Sequence, residues 1–485
     1  MLKPRPPIIT ILGHVDHGKT TLLDHIRQTK VQAGEIGGIT QHIGAYQITY
    51  QDKPITFIDT PGHAAFNEMR QRGAQITDIV ILVVSAKDGV KPQTIESIKY
   101  IKEAGVPCII ALNKIDLPGV NAILVKTQLA EQGMVAQEYG GDLEVVEISA
   151  LKGTGVDKLL ETVLTVAELL ELKADADEPL QAVVIESTKD QHKGPVARVI
   201  VQAGTLQVKQ DLIVDGIEGR VRSLIDENSK QLLEVTPGEP AEILGLKDVP
   251  EVGAIVKDAR AEYPESETEI VTVPATHSSW DDLDMAALLG DKEKLNLIVK
   301  ADVNGTLEAI TQSLDEDTID LVEASVGGLT EGDLELAQAT NSAVVVFGQS
   351  IPSKLIKLAK ELEVPVKQYD VIYHLLEDLE EQMLKLMDPH YGEVELGKAE
   401  ILDIFDFNDQ KIAGIKVITG EINRHDRLYL KRNDEIIARP AVTSMRHGKD
   451  NIETVKTKGE AGFAFKNKKL DFKKGDIIIA YKKSL

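Results

Sequence analysis

One cysteine, one tryptophan and an aromatic content of 4% are the scarcest features of this 485-residue sequence, and each narrows its reading. A lone Cys108 cannot close an internal disulfide, which excludes a disulfide-stapled secreted scaffold and fits a reducing compartment. Its surroundings, Val106 to Leu112, are apolar, so Cys108 reads as a buried strand residue. No stretch approaches the ~20 apolar residues that a membrane-spanning helix needs, and the short, proline-rich opening has no apolar h-region. The expectation is a cytoplasmic protein without a membrane partner. Positive charge is also scarce overall: 54 Lys and Arg against 78 Asp and Glu give a formal net charge of −24. That balance argues against a protein that coats nucleic acid indiscriminately. The deficit is uneven, however. From Lys411 to the end there are 18 Lys and Arg against 9 Asp and Glu, a local +9 that leaves −33 for the residues before it. An acidic body with a basic end suggests either a polyanion contacted locally or a solvated, lysine-rich surface.

The chain is too long for one hydrophobic core. Apolar strand candidates at 7–12, 55–58, 78–85, 107–112 and 143–148 alternate with amphipathic helical patterns at 92–104 and 156–172. Strands alternating with helices predict a mainly parallel sheet covered on both faces, here over residues 1–173. Residues 179–260 change to short β-rich runs with turn glycines, the pattern of a small β-barrel. Residues 261–294 read as an acidic linker with one short helix near 281–289, 295–370 as a compact α/β domain, and 371–392 as a connecting helix stopped at Asp388-Pro389. Residues 393–485 are strand-rich. The fold class expected is thus multidomain, α/β plus β. Arg198 to Leu206 resembles Lys416 to Ile422, and Pro237-Gly-Glu-Pro-Ala241 parallels Lys458-Gly-Glu-Ala461, so the last domain reads as a second copy of the same barrel.

The chemistry is concentrated in the first domain. Gly13-His14-Val15-Asp16-His17-Gly18-Lys19-Thr20 follows a predicted strand and opens a predicted helix that continues with Thr21. This is the G-x-x-x-x-G-K-[ST] pattern in the context it requires: glycines let backbone N–H groups curl around phosphate, and the helix N-terminus favours negative charge. Lys19 would reach the outer phosphates and the Thr20 hydroxyl would ligate Mg²⁺. Asp59-Thr60-Pro61-Gly62-His63 sits at a strand end, where Asp59 can hold Mg²⁺ and the Gly62 N–H can sense the γ-phosphate. Thr40, after a flexible Gly37-Gly38-Ile39, would complete the metal shell only while that phosphate is present, which makes this loop a switch. Asn113-Lys114-Ile115-Asp116 supplies base identity: the aspartate accepts hydrogen bonds from guanine N1–H and the 2-amino group, which adenine cannot offer. Ser149-Ala150-Leu151 contributes a backbone N–H for the guanine carbonyl. Four elements in this order, each at a strand end, read as a GTP and GDP site.

Together these residues resemble the GTPases of translation, and Ala33 to Tyr46, Asp59 to Phe66, Gly73 to Asp78, Asp88 to Thr94, Leu295 to Gly305, Val326 to Glu331, Val371 to Tyr373 and Ile412 to Gly414 resemble the bacterial translation initiation factor 2 family. The resemblance implies a P-loop GTPase domain, two translation-factor barrels, an α/β sandwich and a connecting helix. It implies that His63 orients the attacking water and that Val15 and Ile39 form an apolar gate restraining it. It further implies ribosome-stimulated hydrolysis, delivery of formylmethionyl initiator tRNA to the small ribosomal subunit, joining of the large subunit, other initiation factors as partners, and a monomer. The aminoacylated tRNA end would meet Arg446, His447, Lys449, Glu460, Ala461 and Gly462, with Ile415 on the facing strand. The sequence departs from the family at Ile415 and Ala461, where cysteines are usual, and at His447 and Gly448, which replace basic and aromatic residues. The 262–294 connection is shorter and more acidic than usual, and the long N-terminal region of many members is lacking, either by nature or by trimming. Two competing readings are another ribosome-dependent GTPase and a tRNA- or ribosome-binding scaffold with a weak GTPase site.

Overall fold

The computed structural model describes residues 2–29, 40–263, 294–387, 393–407, 410–432, 435–448, 450–467 and 470–483. Ile39, Lys449 and the short helix expected near 281–289 lie outside them. The chain divides into two compact units, Met1–Glu380 and Glu381–Leu485.

The first unit opens with an α/β domain. In chain order its elements are β1 (Ile8–Gly13), α1 (Lys19–Arg27), β2 (Gly44–Tyr50), β3 (Lys53–Asp59), α2 (Asn67–Ile76), β4 (Ile79–Ser85), α3 (Pro92–Ala104), β5 (Cys108–Asn113), α4 (Ala122–Glu131), β6 (Glu144–Glu147) and α5 (Val156–Leu169). The sheet order is β2-β3-β1-β4-β5-β6. Every pairing is parallel except β2 with β3. Strands β1, β4 and β5 are buried along their whole length, which is why they read as unbroken apolar runs. One apolar cluster unites Ile9, Ile11 and Ile81 with Leu159 and Val163 of α5. A second unites Leu12, Val80 and Leu82 with Ile98 and Leu129 of α3 and α4. Cys108 belongs to this second cluster, as its apolar setting implied, and burial pushes its thiol up to about 12. Helix α3 starts with Pro92 and stops at Gly105 in the left-handed region, the usual asymmetry of helix ends. The parallel order leaves the carboxyl ends of β1, β3, β4, β5 and β6 on one edge, where the loops carrying the sequence motifs emerge.

A barrel follows, built from β7 (Gln181–Asp190), β8 (Gly194–Ala203), β9 (Asp211–Val214), β10 (Ile217–Ile225), β11 (Pro240–Leu246) and β12 (Ile255–Asp258). The pairings run β9-β12-β7-β8-β11-β10, and β10 returns to β9, which closes the barrel around Val184, Val199, Leu224 and Ile243. The next layer is β13 (Leu295–Ala301), α6 (Asn304–Gln312), β14 (Ile319–Val326), α7 (Glu331–Thr340), β15 (Ala343–Phe347), α8 (Ser353–Glu361) and β16 (Val366–Tyr369), with an all-parallel order β14-β13-β15-β16. Thr330 and Asp333 cap α7 reciprocally. Helix α9 spans Ile372–Met387. Among the described residues no helix is long and apolar enough to cross a membrane.

The second unit holds β17 (Glu393–Phe407), β18 (Gln410–Asn423), β19 (Arg427–Arg432), β20 (Glu435–Ala438), β21 (Val442–His447), β22 (Glu460–Phe465) and β23 (Ile477–Lys483) in the order β20-β19-β23-β17-β18-β22-β21. This is the first barrel's circuit again, with β10 broken into β20 and β21. The repeat extends to single hydrogen bonds: Gly238 N donates to Val201 O at 2.7 Å, and Lys458 N donates to Val417 O at 2.8 Å. The register corrects the motif alignment by one residue. Gly238 corresponds to Lys458 rather than to Gly459, and both occupy the left-handed region, with φ of 88° and 68°.

Candidate functional site

Strand β1 delivers the chain to Gly13, whose φ of +143° and position suit only glycine: a Cβ there would lie 2.4 Å from Val83 O. At the other end of the loop, Gly18 has φ +90°, and its Cβ would meet Asn113 Nδ2 at 2.4 Å. Helix α1 starts at Lys19, so the unpaired N–H groups of its first turn face the loop. Buried Lys19 Nζ donates to Gly13 O at 3.0 Å and His14 O at 2.9 Å. Desolvation lowers its pKa to about 8, against the opposing pull of Asp59. Among the described residues this buried ammonium is hydrogen-bonded to carbonyls alone, which calls for an anion, and phosphate is the group this loop shape accepts. Val15 N donates to Gln93 Oε1 at 2.9 Å, which holds the turn open. Buried His17 packs with its ring 5.0 Å from that of His14, and desolvation lowers its pKa to about 4. It is a neutral structural residue, and its carbonyl receives Asn113 Nδ2 at 2.8 Å.

The oxygen donors suited to Mg²⁺ gather beside this loop. Thr20 Oγ1 lies 2.8 Å from Thr40 Oγ1, and Asp59 ends β3. Hydroxyl and carboxylate oxygens suit a hard cation, so the residues fit the metal that the motifs imply. Thr60 is turned inward, donating to Ile11 O at 2.9 Å. Gly62 sits close against this lysine: a Cβ would stand 2.2 Å from Lys19 Nζ, which would have to shift, and 3.4 Å from a methyl of Val15. His63 caps the short turn Ala64–Phe66, its Nδ1 accepting from Ala65 N at 3.0 Å. Its ring meets that of Tyr373 in α9 at a centroid distance of 3.9 Å and an interplanar angle of 87°. Desolvation, reinforced by Arg70, lowers the His63 pKa to about 4. The ring is neutral at physiological pH, and because Nδ1 accepts, its proton sits on Nε2.

Sequence reasoning missed Arg70. Its side chain is 0% exposed, and its guanidinium donates to the carbonyls of Pro61 and His63, to Asn67 Oδ1 and, at 3.2 Å, to Glu96 Oε2. It braces the turn that carries Gly62 and His63. An arginine on a helix reads as a surface residue, and only the tertiary structure shows that this one is covered.

At the base end, Lys114 adopts φ +65° and its Nζ lies 3.3 Å from Asp88 Oδ2. Asn113 Oδ1 accepts from Lys114 N at 2.7 Å and from Ala150 N at 2.9 Å, tying the two loops together. Ser149 Oγ donates to Asp116 Oδ1 at 2.8 Å, and Lys152 Nζ lies 3.4 Å from the other carboxylate oxygen. The Ser149 hydrogen bond, more than Lys152, holds the Asp116 carboxyl below its usual range. Ile115 N donates to Ile148 O, and Leu151 is 77% exposed, so it contributes backbone rather than packing.

In the second unit, Ile415, Arg446, His447, Glu460, Ala461 and Gly462 line one cavity of about 270 Å³. Ile415 pairs with Ala461 across β18 and β22, and both are buried in the barrel core, so they form its floor. Arg446 Nε is held by Asn451 Oδ1 at 2.9 Å, and His447 Nδ1 lies 2.7 Å from Glu460 O. Lys449 is outside the described residues. The cavity adds Phe405, which the motif comparison did not single out: it is 56% exposed, and a Cβ on Gly414 would press within 2.8 Å of its ring.

Residues 5–168 match the family described as Elongation factor Tu GTP binding domain, 179–258 match Elongation factor G domain 2, and 273–380 match Translation-initiation factor 2. Translation initiation factor IF-2 of Halothermothrix orenii is 43% identical across 99% of this chain, which covers 72% of that protein. The chain belongs to the IF-2 family. The IF-2 of Carboxydothermus hydrogenoformans is 45% identical over 99% of the chain, which spans 60% of that relative's length. Among solved structures, GDP-bound aIF5B from Aeropyrum pernix superposes with a TM-score of 0.50 at 26% identity, covering 99% of this chain and 92% of that one. IF-2 membership agrees with the fold class read from sequence: a P-loop domain, barrels and a mixed α/β layer.

Proposed function

We propose that this chain is a ribosome-dependent GTPase of translation initiation, which places formylmethionyl initiator tRNA on the small ribosomal subunit and promotes joining of the large one. GTP hydrolysis then releases the factor. The observation that carries the reading beyond family membership is the convergence of six residues, chosen from sequence for the tRNA end, on one cavity in a basic barrel. The domain limits read from sequence, 1–173, 179–260, 295–370, 371–392 and 393–485, are proposed as the working units. Other initiation factors as partners, a monomeric state and a cytoplasmic location belong to the same proposal.

In this mechanism the loop 13–18 and the first turn of α1 cradle the phosphates, Lys19 pairs with their outer oxygens, and Asp116, Asn113, Lys114 and the Ser149–Leu151 backbone hold guanine. Thr20, Thr40 and Asp59 would hold Mg²⁺, which supplies positive charge against the phosphates. His63 is neutral and protonated on Nε2 at rest; keeping that tautomer on turning to the water, it would donate toward it and position the nucleophile rather than remove its proton. Val15 beside Gly62 supports its role as one wall of the apolar gate.

The test is protection of the formylmethionyl ester of initiator tRNA from hydrolysis. Protection of the initiator and not of elongator aminoacyl-tRNA is expected. Equal protection of both, or of neither, overturns the initiation role.

A further inference from the structure

We propose that Tyr373, in the first turn of α9, is the wall that parks His63, and that residues 40–42 clasp this wall to the nucleotide site. The proposal rests on the GTPase reading above. A centroid separation of 3.9 Å at 87° is below the usual 4.5–7 Å for aromatic pairs and leaves no room for water between the rings. Tyr373 is 36% exposed, whereas Ile372, Leu375 and Leu379 are buried and anchor the helix. The tyrosine ring is therefore dispensable for seating α9, and its contact with the histidine needs another explanation. A Val15 methyl approaches the same turn at Gly62.

Three successive residues bind three different parts of the unit. Thr40 meets Thr20 of the phosphate loop at 2.8 Å. Gln41, itself buried, spans the start of α9: its Nε2 donates to Asp370 O at 2.9 Å and its Oε1 accepts from Ile372 N at 3.1 Å. His42 Nε2 lies 2.8 Å from Asp302 Oδ2, just beyond β13. Any displacement of the Thr40 hydroxyl toward a metal thus reaches the turn bearing Tyr373 across one peptide unit. Tyr373 is a positioning residue that holds His63 away from productive geometry until the clasp shifts.

Tyr373→Leu removes the ring, Tyr373→Phe keeps it, and Gln41→Ala loosens the clasp without touching the histidine. Ribosome-free GTP hydrolysis in a single turnover is expected to rise roughly tenfold in Tyr373→Leu, to rise less in Gln41→Ala, and to be unchanged in Tyr373→Phe. Independently of turnover, ring-labelled histidine NMR of the nucleotide-free protein, with the His63 signal assigned through His63→Gln, is expected to shift in Tyr373→Leu and not in Tyr373→Phe. An unmoved His63 signal, or a moved signal with wild-type ribosome-free hydrolysis, overturns the wall. A wild type that no ribosomal subunit stimulates would defeat the functional reading instead, while the ring signals would still decide the contact.

Discussion

Replacing Arg70 by methionine keeps much of its volume and removes the brace beneath Gly62 and His63. The guanidinium is fully buried and serves two backbone carbonyls, one amide oxygen and one carboxylate. Each buried acceptor left without its donor costs about 1–3 kcal/mol, and part of that sum returns because a desolvated cation is no longer buried. Burial lowers the Arg70 pKa despite Glu96, in line with that offset. The net cost is about 3 kcal/mol, concentrated on residues 61–67, and lowers the equilibrium constant for their ordering by roughly a hundredfold. Arg70→Met is expected to lose about two decades of ribosome-stimulated hydrolysis, while fluorescent GDP binding stays within about threefold because the base loops are untouched. Arg70→Lys supplies a point charge without the planar fork and should recover only part of the loss. Amide exchange over residues 61–67 reports the same effect without turnover. Wild-type exchange together with wild-type hydrolysis in Arg70→Met would refute the reasoning.

Two further outcomes follow from buried groups and a third from an exposed ring. His17 has a folded pKa of about 4 against 6.5 for the free side chain, so the folded state resists its protonation. Its contribution to stability is intact above pH 6.5 and is lost as pH falls toward 4, by at most about 3 kcal/mol. His17→Gln should flatten acid unfolding of the first domain in that window, as followed by amide exchange. Cys108, held near pKa 12 by burial, should resist thiol reagents at pH 8 in the native protein and react once it is unfolded. Phe405→Ala should weaken protection of the formylmethionyl ester about tenfold, with Phe405→Trp retaining it and GDP binding unchanged, since an exposed ring lining the same cavity as Arg446 offers a stacking face.

What the sequence made legible is what local physics determines. Strands β1, β4 and β5 are buried on both faces and read as apolar runs, and the loop 13–20 declares itself through glycines that no other residue can replace. Edge strand β2 escaped notice because Gly44–Tyr50 mixes polar and apolar residues and pairs antiparallel to β3. The barrel repeat was visible in Gly204 and Gly420, which share a left-handed turn, but its register was not, because the matching position holds glycine in one copy and lysine in the other. Arg70 and the Gln41 clasp were invisible for a different reason. A buried arginine has the helical spacing of a surface one, and Gln41 reaches a carbonyl 329 positions away. The cavity around Ile415 and Ala461 stands between these cases: its residues were legible by resemblance, while Phe405 needed the register of β17 and β18 to bring it to the rim.

The most direct test is GTP hydrolysis by the wild type and His63→Ala, each alone, with the small subunit, and with both subunits, initiator tRNA and message. The wild type should be slow alone, on the order of the 10⁻⁴ s⁻¹ of a Ras-like site, and should accelerate steeply only with both subunits. His63→Ala should bind GTP normally and fail to accelerate. Acceleration of His63→Ala equal to that of the wild type, or none in either protein, would contradict a ribosome-triggered histidine in the turn after β3.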